Sequence, residues 1–255
     1  MPQLMILVPT RNEADNVEPL LGRLSACVES RTVVLFVDDS DDETPAVIRA
    51  ARERQFGSLD VQLLHRPVGV RGGGLGGAVL AGLAQTDTPW VCVMDGDLQH
   101  PPEVVPRLLL AARTANADLV VASRYISGGR NEGLGTIRTV VSWASTVLAK
   151  ATFPYRLRGI RDPMSGFFLF RRKALTEAMA PRGFKILLEI AVRHPHLVRR
   201  EVPFVFVERA MGASKGTIQE GFRYLRLLAE MRWALWLRHP VKASQPSEPE
   251  TELAA

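Results

Sequence analysis

Two aspartates separated by one glycine are the strongest candidates for chemistry in this sequence. Asp95 and Asp97 follow the run at 90–94, which is too apolar to face water and is typical of a buried parallel strand. The prolines at 101–102 predict a helix start immediately afterwards, which disfavours a hairpin turn. Two carboxylates at the carboxyl end of a strand, with the amide of Gln99 nearby, suit a hard divalent cation that also binds substrate phosphate. We therefore predict a metal site here, with a surface Asp-Gly turn as the alternative.

Predicted strands and helices alternate on both sides of this pair. Strands are expected at 4–8, 33–37, 61–64 and 119–123, with helices at 13–28, from 45 onwards and at 76–84. This alternation predicts a mostly parallel, doubly wound α/β sheet, because parallel neighbours need crossover connections. A second acidic cluster, at 38–42, ends the second strand and should therefore lie on the same edge as Asp95 and Asp97.

The later part of the chain is less regular. Helices are expected at 140–152, 173–179, 186–193 and about 218–237, and strands at 167–170 and 203–207. We expect one catalytic domain over 1–240 that ends in the amphipathic helix at about 218–237. The Pro/Ser/Glu-rich tail at 241–255 is expected to be disordered.

Composition narrows the class of protein and its partners. The chain has 255 residues, 46% of them hydrophobic and 23% charged, which is ordinary for a globular protein. The net charge of +5 is concentrated in the last third, which favours an anionic partner, either phosphate or a membrane surface. Any one of these arginines could equally be solvated surface charge. Nucleic-acid binding is disfavoured, because no stacking surface interleaves the basic residues.

The sequence also suggests a cellular location. Cys27 and Cys92 fall in a predicted helix and a predicted buried strand, so we expect neither a disulfide nor a metal ligand. The N-terminal residues lack a basic region and a cleavage site, so no secretory signal is expected. No uncharged run approaches the roughly 20 residues that a membrane span needs. We expect a cytoplasmic protein.

A glycine-rich loop offers a second phosphate-binding candidate. Gly72, Gly74 and Gly77 form a formal G-x-G-x-x-G, and Asp95 lies near the spacing of a ribose-binding acid. The dehydrogenase interpretation is disfavoured, because 66–71 intervene between the strand and the glycines. We favour a loop that faces phosphate, with Arg71 as its cation; a purely structural turn is the alternative.

The order of these motifs resembles a family 2 glycosyltransferase of the GT-A fold. The matching blocks are VPTRNEADNV at 8–17, VDDSDDET at 37–44, RGGGLGGAVLAGL at 71–83 and MDGDLQHPPE at 94–103. Downstream, SRYISGG, DPMSGFFLFRR, GFKILLEI and EVPFVFVERAMGASK are similar to the polyprenyl-phosphate branch, which includes dolichol-phosphate mannose synthases. The resemblance covers roughly 5–226.

The resemblance implies roles for individual residues. Those that would bind the nucleotide sugar are Pro9, Thr10, Glu13, Asp39, Arg71 and Asp95. Those that would hold Mg²⁺ or Mn²⁺ against its diphosphate are Asp95, Asp97 and Gln99. Those that would receive the acceptor phosphate are Arg124, Arg138, Ser142 and Ser214. The residues expected to take part in catalysis itself are Asp95, Asp97, Arg124, Arg209 and Lys215.

Two departures from the family pattern affect this transfer of roles. Gly96 stands where the family more often has alanine, a difference that should be tolerated. The block at 38–44 is one residue shorter than its commonest form, which weakens the assignments to the base. Two further acids have no implied catalytic role: we expect Asp162 to brace a turn and Glu189 to orient Lys185 or an arginine.

The implied chemistry agrees with the residue types. Sugar transfer to a hydroxyl needs a general base, whereas a phosphate monoester, with its second pKa of about 6, is already largely a dianion at neutral pH. Such an acceptor needs cations instead. The Q-x-x-R-W block of processive family 2 synthases is absent, which favours one sugar per lipid. We expect inverting transfer of mannose from GDP-mannose to a polyprenyl phosphate. The alternatives are UDP-glucose or UDP-N-acetylglucosamine as donor, or a binding module without activity.

The helix at about 218–237 bears on membrane contact. Its expected apolar face consists of Phe222, Leu225, Leu228, Ala229, Trp233 and Trp236. A basic amphipathic helix with tryptophan can lie in a lipid interface, and packing onto the sheet is an equal alternative. Because a polyprenyl acceptor is insoluble, we expect peripheral contact with the cytoplasmic membrane face, through this helix or through a separate membrane-anchoring protein.

Overall fold

A seven-stranded sheet forms the centre of the computed structural model, which describes residues 3–133, 135–177, 179, 185–208 and 218–237. The strands of the described chain are β1 (Leu4–Thr10), β2 (Thr32–Asp38), β3 (Leu59–His65), β4 (Trp90–Val93), β5 (Leu119–Ser123), β6 (Arg130–Asn131), β7 (Phe168–Arg171), β8 (Arg199–Pro203) and β9 (Val205–Phe206). The α-helices are α1 (Ala14–Cys27), α2 (Thr44–Glu53), α3 (Gly74–Ala84), α4 (Val105–Thr114), α5 (Thr136–Thr152), α6 (Ile186–Arg193) and α7 (Ile218–Leu237).

The strand order in the sheet is β3-β2-β1-β4-β7-β5-β8. All neighbours pair in parallel except β7, which runs antiparallel to both β4 and β5. The predicted mostly parallel α/β sheet is confirmed. The carboxyl ends of β1, β2, β4 and β5 therefore share one edge with the amino end of β7, and β6 pairs with β9 in a separate small sheet.

Helices cover both faces of the sheet. Leu4 and Ile6 of β1 join a buried core with α1, α2 and α4. Met5 and Leu7, which point the opposite way, join a second core with α3, α5, α6 and α7. Because the central strands are buried on both faces, they read as continuous apolar runs in the sequence.

One predicted helix is wrong and one predicted strand is misplaced. In place of the helix expected at 173–179 there is a single 3₁₀ turn, Arg172–Ala174, followed by extended backbone at Leu175. The Glu177 N–H donates to His194 Nε2 at 3.1 Å, so it is not available to a helix. The strand expected at 203–207 divides into the end of β8, which pairs with β5, and the two residues of β9, which pair with β6.

The expected apolar face of α7 needs correction. Leu228 is buried in the core, together with Tyr224, Leu227 and Met231. The exposed apolar side chains of α7 are Phe222, Leu225, Trp233 and Trp236. The helix therefore packs on the protein and also presents an apolar side to the outside.

Several remaining expectations concern the chain as a whole. Both cysteines are free thiols, as predicted. Among the helices that the structure describes, none has the length and apolar character that crossing a membrane requires. The tail at 241–255 and the domain end at 240 lie outside the described residues and stay predictions.

Candidate active site

The segment 95–100, which we call the acid corner, follows β4 directly. The Asp97 carboxylate is buried, and its Oδ1 accepts the Gln99 N–H at 3.1 Å. The Asp95 side chain remains 41% exposed. Between Asp97 and Gln99, Leu98 adopts a left-handed backbone with φ of 63°. This conformation costs a leucine free energy, and the burial of the Leu98 side chain holds it in place. The Asp97 carboxylate thus lies inside the acid corner, and the Asp95 carboxylate is accessible from outside.

His100 holds the backbone of the acid corner in place. The Asp95 N–H donates to His100 Nδ1 at 3.0 Å, and the imidazole stacks on Phe167 with ring centroids 5.1 Å apart. The edges of Phe204 and Phe206 complete its surroundings. Burial lowers the pKa of His100 to about 4, so its ring is neutral at physiological pH. His100 therefore positions the corner, a role that sequence reasoning missed because its aromatic neighbours come from distant segments.

Two glycines allow close packing around the acid corner. A Cβ at Gly166 would lie 3.3 Å from Asp95 Oδ2 and 3.2 Å from His100 Cε1, so a side chain there would fill the space beside the Asp95 carboxylate. A Cβ at Gly96 would lie 3.1 Å from Thr10 Cγ2, a contact that requires a small shift of that neighbour. Both glycines therefore mark close packing: Gly166 lies against Asp95 and His100, and Gly96 lies against the end of β1.

The ends of β1, β2 and β3 meet at a buried carboxylate. Asp38 is fully buried and accepts hydrogen bonds from Thr10 Oγ1 at 2.8 Å and from Ser40 Oγ at 2.5 Å. His65 Nδ1 lies 2.8 Å from its other oxygen. The predicted donor residues Pro9 and Thr10 end β1 at this point. Sequence reasoning selected the neighbouring Asp39 and missed Asp38 and His65, which hold the strand ends together.

Asp39 forms a buried, two-pronged ion pair with Arg66. Arg66 Nε and Nη2 donate to its two carboxylate oxygens at 2.8 and 2.6 Å. The same guanidinium donates to the carbonyls of Gly72 and Gly74, each at 3.3 Å. A Cβ at Gly77 would collide with the Gly72 carbonyl oxygen at 1.9 Å. The glycine motif therefore lets the loop close around Arg66, a residue to which the sequence assigned no role.

The remaining predicted donor residues lie at the rim of this region. Arg71 donates to the Asp39 carbonyl and to the Asp41 carboxylate, and this arginine holds the pKa of Asp41 below its ordinary value. The Glu13 N–H donates to Thr44 Oγ1 at 3.0 Å, which ties the start of α1 to the start of α2. The structure therefore brings the predicted donor residues together at one edge, with Arg71 paired to an acid.

On the other side of the acid corner, Arg124 follows β5 and pairs with Asp162. Asp162 accepts hydrogen bonds from Arg124 Nε and Nη2, both at 2.8 Å, and from its backbone N–H at 3.1 Å. Burial lowers the pKa of the guanidinium, but the hydrogen bonds and charge of Asp162 outweigh it and raise the net value. The cation also lies 5.7 Å from the ring centroid of Phe206. The Asp162 side chain thus fixes Arg124, and it is the backbone carbonyl of Asp162 that takes part in the following turn, by accepting the Ser165 N–H at 3.3 Å.

Only part of the predicted acceptor group can be placed. Ser142 Oγ lies 3.3 Å from the Tyr125 hydroxyl, next to Arg124 in the chain. Arg138 falls in the first turn of α5, but its side chain lies outside the described part. The other predicted residues outside the described part are Arg209, Ser214 and Lys215. Glu189 pairs with Arg193 at 2.7 Å, so the expected arginine partner is confirmed.

The residues present fit a divalent cation that is shared with substrate. Within the described ranges, no group of three or more His, Cys, Asp or Glu side chains could form a metal site from protein alone. Asp95 and Asp97 are hard oxygen donors on one corner, and a two-carboxylate site leaves positions for water and phosphate oxygens.

Comparison with known proteins defines the family. The family model described as glycosyl transferase family 2 matches residues 5–178. The Pyrococcus furiosus dolichol-phosphate mannosyltransferase is 34% identical over 233 residues, which cover 91% of this chain but 64% of that relative. The Micrococcus luteus undecaprenyl-phosphate mannosyltransferase is 34% identical over 224 residues, covering 84% of this chain and 87% of the relative.

A solved structure agrees with this result at the level of the fold. The Mycobacterium tuberculosis glucosyl-3-phosphoglycerate synthase, crystallised with Mn²⁺, UDP-glucose and phosphoglyceric acid, superimposes with a TM-score of 0.68 at 19% identity. The match covers 94% of this chain and 82% of that one. Its fold is the one seen here. The chain belongs to glycosyl transferase family 2.

Proposed function

We propose that this protein transfers one mannose from GDP-mannose, with inversion and with a divalent cation, to a polyprenyl phosphate. One observation carries the proposal: the acid corner lies between two buried carboxylate–guanidinium pairs on a single sheet edge. The order of the strands places Asp39–Arg66 on the β2 side and Arg124–Asp162 on the β5 side. The names of the two mannosyltransferase relatives supply the sugar and the class of acceptor.

The nucleotide would occupy the β1–β2 side. Thr10 and Asp39 end or follow the strands there, and Glu13 starts α1 nearby. The Asp39 N–H donates to the Thr10 carbonyl at 2.9 Å, which fixes the distance between the two strand ends. The carboxyl edge of the strands is where open α/β sheets bind nucleotides.

The diphosphate would lie over the acid corner. Asp95, Asp97 and Gln99 would hold Mg²⁺ or Mn²⁺, which supplies neutralisation of the negative charge that develops on the leaving diphosphate. The exposure of the Asp95 side chain supports this placement, since 41% of it is accessible to a ligand. The Mn²⁺ and UDP-glucose in the solved relative show that the fold accommodates such a pair.

The acceptor phosphate would approach from the β5 side. Arg124, held by Asp162, offers a fixed positive charge there. Ser142 lies nearby, because its Oγ is 3.3 Å from the hydroxyl of Tyr125, the residue after Arg124. The acceptor is a dianion at neutral pH and needs no general base. His100 is buried, and its Nδ1 already accepts a backbone N–H, so it is assigned to positioning. Arg138, Arg209, Ser214 and Lys215 complete the proposed phosphate-binding group.

Membrane contact is proposed through an apolar surface on α5 and α7, here called the platform. Its exposed side chains are Val140, Val141, Trp143, Val147, Leu148, Phe222, Leu225, Trp233 and Trp236. The Tyr224 hydroxyl donates to the Ser145 carbonyl at 2.6 Å and Arg232 Nη1 to the Thr152 carbonyl at 2.9 Å, so the helices run side by side in the same direction. Aromatic and apolar side chains on a two-helix surface suit a lipid interface at the cytoplasmic membrane face.

A donor panel tests the reaction. Purified protein with Mg²⁺ or Mn²⁺ and a polyprenyl phosphate is offered labelled GDP-mannose, UDP-glucose or UDP-N-acetylglucosamine, and label entering the organic phase is measured. We expect a metal-dependent mannolipid. Formation of a glucolipid or an N-acetylglucosaminyl lipid would identify UDP-glucose or UDP-N-acetylglucosamine as the donor and would leave the proposed mechanism unchanged.

The matched variant for this assay is Asp97→Ala. Loss of far more than tenfold in transfer is expected, since a cation on a diphosphate contributes several kcal/mol. Smaller losses would contradict the metal assignment. Nucleotide binding without any lipid product would favour a binding module, unless adding membrane extract restores transfer, which would indicate a separate membrane partner.

A further inference from the structure

We propose that a basic cleft at the end of α5 binds the phosphate headgroup of an anionic membrane lipid. The cleft has a volume of about 560 Å³ and is lined by Lys150, Pro154, Leu157, Arg158, Gly159, Ile160 and Arg161. Three cations around one opening, with aliphatic side chains between them, match a phosphate that is attached to an apolar body.

The three cations are available to a ligand. Lys150 is half-buried, and Arg158 and Arg161 are exposed. Among the described residues, no carboxylate lies within 4.0 Å of the charged groups of these three side chains. This contrasts with Arg66, Arg71 and Arg124, each of which has an acidic partner. The cleft therefore concentrates positive charge that the described protein does not neutralise.

The wall of the cleft is anchored from β8. Arg199 donates through Nη1 to the Arg156 carbonyl at 2.6 Å and to the Arg158 carbonyl at 3.5 Å. One Glu201 carboxylate oxygen accepts the backbone N–H groups of Arg161 and Asp162, at 3.0 and 3.1 Å. Both ends of the segment that carries Arg158 and Arg161 are therefore fixed to one strand.

The position of the cleft indicates the source of the phosphate. Lys150 follows Trp143 and Val147 at helical spacing on α5, so it lies on the side of the helix that carries the platform. Tyr155, next to Pro154 of the cleft, is 89% exposed. An aromatic side chain and three cations at the edge of an apolar surface suit a bilayer whose lipids are anionic.

The inference rests on the proposed contact between the platform and a bilayer, and it adds a lipid site separate from the acceptor site. Arg124 of the acceptor side is directed to Asp162, whereas the cleft cations belong to α5 and the segment after it. Occupation of the cleft would fix the orientation of the enzyme on the membrane while the acid corner carries out transfer.

Vesicle sedimentation tests the site. The full chain is mixed with vesicles of phosphatidylcholine alone or with phosphatidylglycerol added, at one ionic strength. We expect the wild type to prefer the anionic vesicles, and the variant Lys150→Gln/Arg158→Gln/Arg161→Gln to bind them roughly a hundredfold more weakly while keeping its binding to neutral vesicles. Transfer to detergent-solubilised polyprenyl phosphate should be unchanged, which separates the cleft from the acceptor site.

The matched control removes the same charge from the opposite face of the sheet. Arg49→Gln/Arg52→Gln/Arg107→Gln changes exposed residues of α2 and α4, which pack on the other core. This control should keep the preference for anionic vesicles, and an equal loss in both triple variants would overturn the cleft in favour of general surface charge.

Two further outcomes are decisive. Millimolar inorganic phosphate is added to the wild type bound to anionic vesicles. If it releases the protein as effectively as an excess of competing vesicles does, the cleft binds free phosphate and the lipid headgroup proposal is overturned. Wild-type binding to neutral vesicles without preference for anionic ones would overturn the headgroup site alone, whereas no binding to either vesicle would overturn the platform as well.

Discussion

Two buried ion pairs flank the acid corner, and they are built in opposite ways. In Asp39–Arg66 the arginine has the additional partners: its guanidinium also donates to the Gly72 and Gly74 carbonyls. In Arg124–Asp162 the aspartate has the additional partner, because it also accepts the Arg124 backbone N–H. The first arginine therefore organises a loop, while the second arginine is itself the group being held.

The difference suits the two substrates that we propose. The nucleotide needs a site of fixed shape. The Arg66 guanidinium closes the glycine loop and so fixes this side of the site, without itself contacting the ligand. A phosphate acceptor needs a cation in a defined place, and Asp162 orients Arg124 against the Phe206 ring. Removal of the Asp162 carboxylate should therefore mainly lower the free energy of unfolding. Replacement of Asp39 should cost less stability and should raise the KM for the nucleotide sugar.

The largest effect is expected for Asp162→Ala. The carboxylate is fully buried, and its removal leaves the Arg124 charge without its partner, so the free energy of unfolding should fall by about 3–5 kcal/mol. Urea denaturation measures this change. Asp118→Ala, which breaks the partly exposed pair with Arg171 and removes the acceptor of the Val198 N–H, is the control and should cost about 1–2 kcal/mol. Equal losses in the two variants would contradict the importance given to the Arg124–Asp162 pair.

The next effect concerns His100, which lies between the two pairs. Its folded-state pKa of about 4 is below the ordinary value of 6.5, so the unfolded chain binds a proton more readily. Stability contributed by the neutral ring is complete above pH 6.5 and is lost as the pH falls towards 4, by up to about 3 kcal/mol. Unfolding of the wild type and of His100→Asn, which keeps an acceptor for the Asp95 N–H, is compared at pH 7 and pH 5. The same pH dependence in both proteins would exclude His100 as its source.

The smallest effect is expected for Asp39→Asn. The Arg66 guanidinium retains its two carbonyl acceptors, so the loss of stability should be about 1–3 kcal/mol, below that of Asp162→Ala. The 66–77 loop should become sensitive to limited proteolysis and the KM for the nucleotide sugar should rise, while the KM for the acceptor stays constant. A change confined to the acceptor would reverse the assignment of the two sides.

The parts of the site that the sequence predicted are those that are local in the chain. Asp95 and Asp97 stand out because an apolar strand ends directly before them and a proline-started turn follows. Arg66 and Asp39 are 27 residues apart and Arg124 and Asp162 are 38 apart, so no spacing signal connects them. The first pairing follows from the adjacency of β2 and β3, and the second from the antiparallel insertion of β7 beside β5.

The errors in the fold have the same origin. The helix expected at 173–179 is replaced because the Glu177 N–H has a partner in His194, which lies beyond the next helix. The sequence pattern groups Leu228 with Phe222 and Trp233 on a single apolar face, whereas the helix contacts both the core, where Leu228 lies, and α5. Local periodicity finds an element but does not determine how many neighbours it has.

Metal-dependent nucleotide binding tests the central claim most directly. Calorimetric titration of GDP-mannose is carried out with and without Mn²⁺, for the wild type and for Asp95→Asn, a nearly isosteric change at a side chain that is 41% exposed and that should leave the fold intact. We predict that Mn²⁺ tightens binding to the wild type and has little effect on the variant. Binding to the wild type that does not depend on Mn²⁺, or equal tightening in both proteins, would contradict the assignment of the acid corner as the metal and diphosphate site.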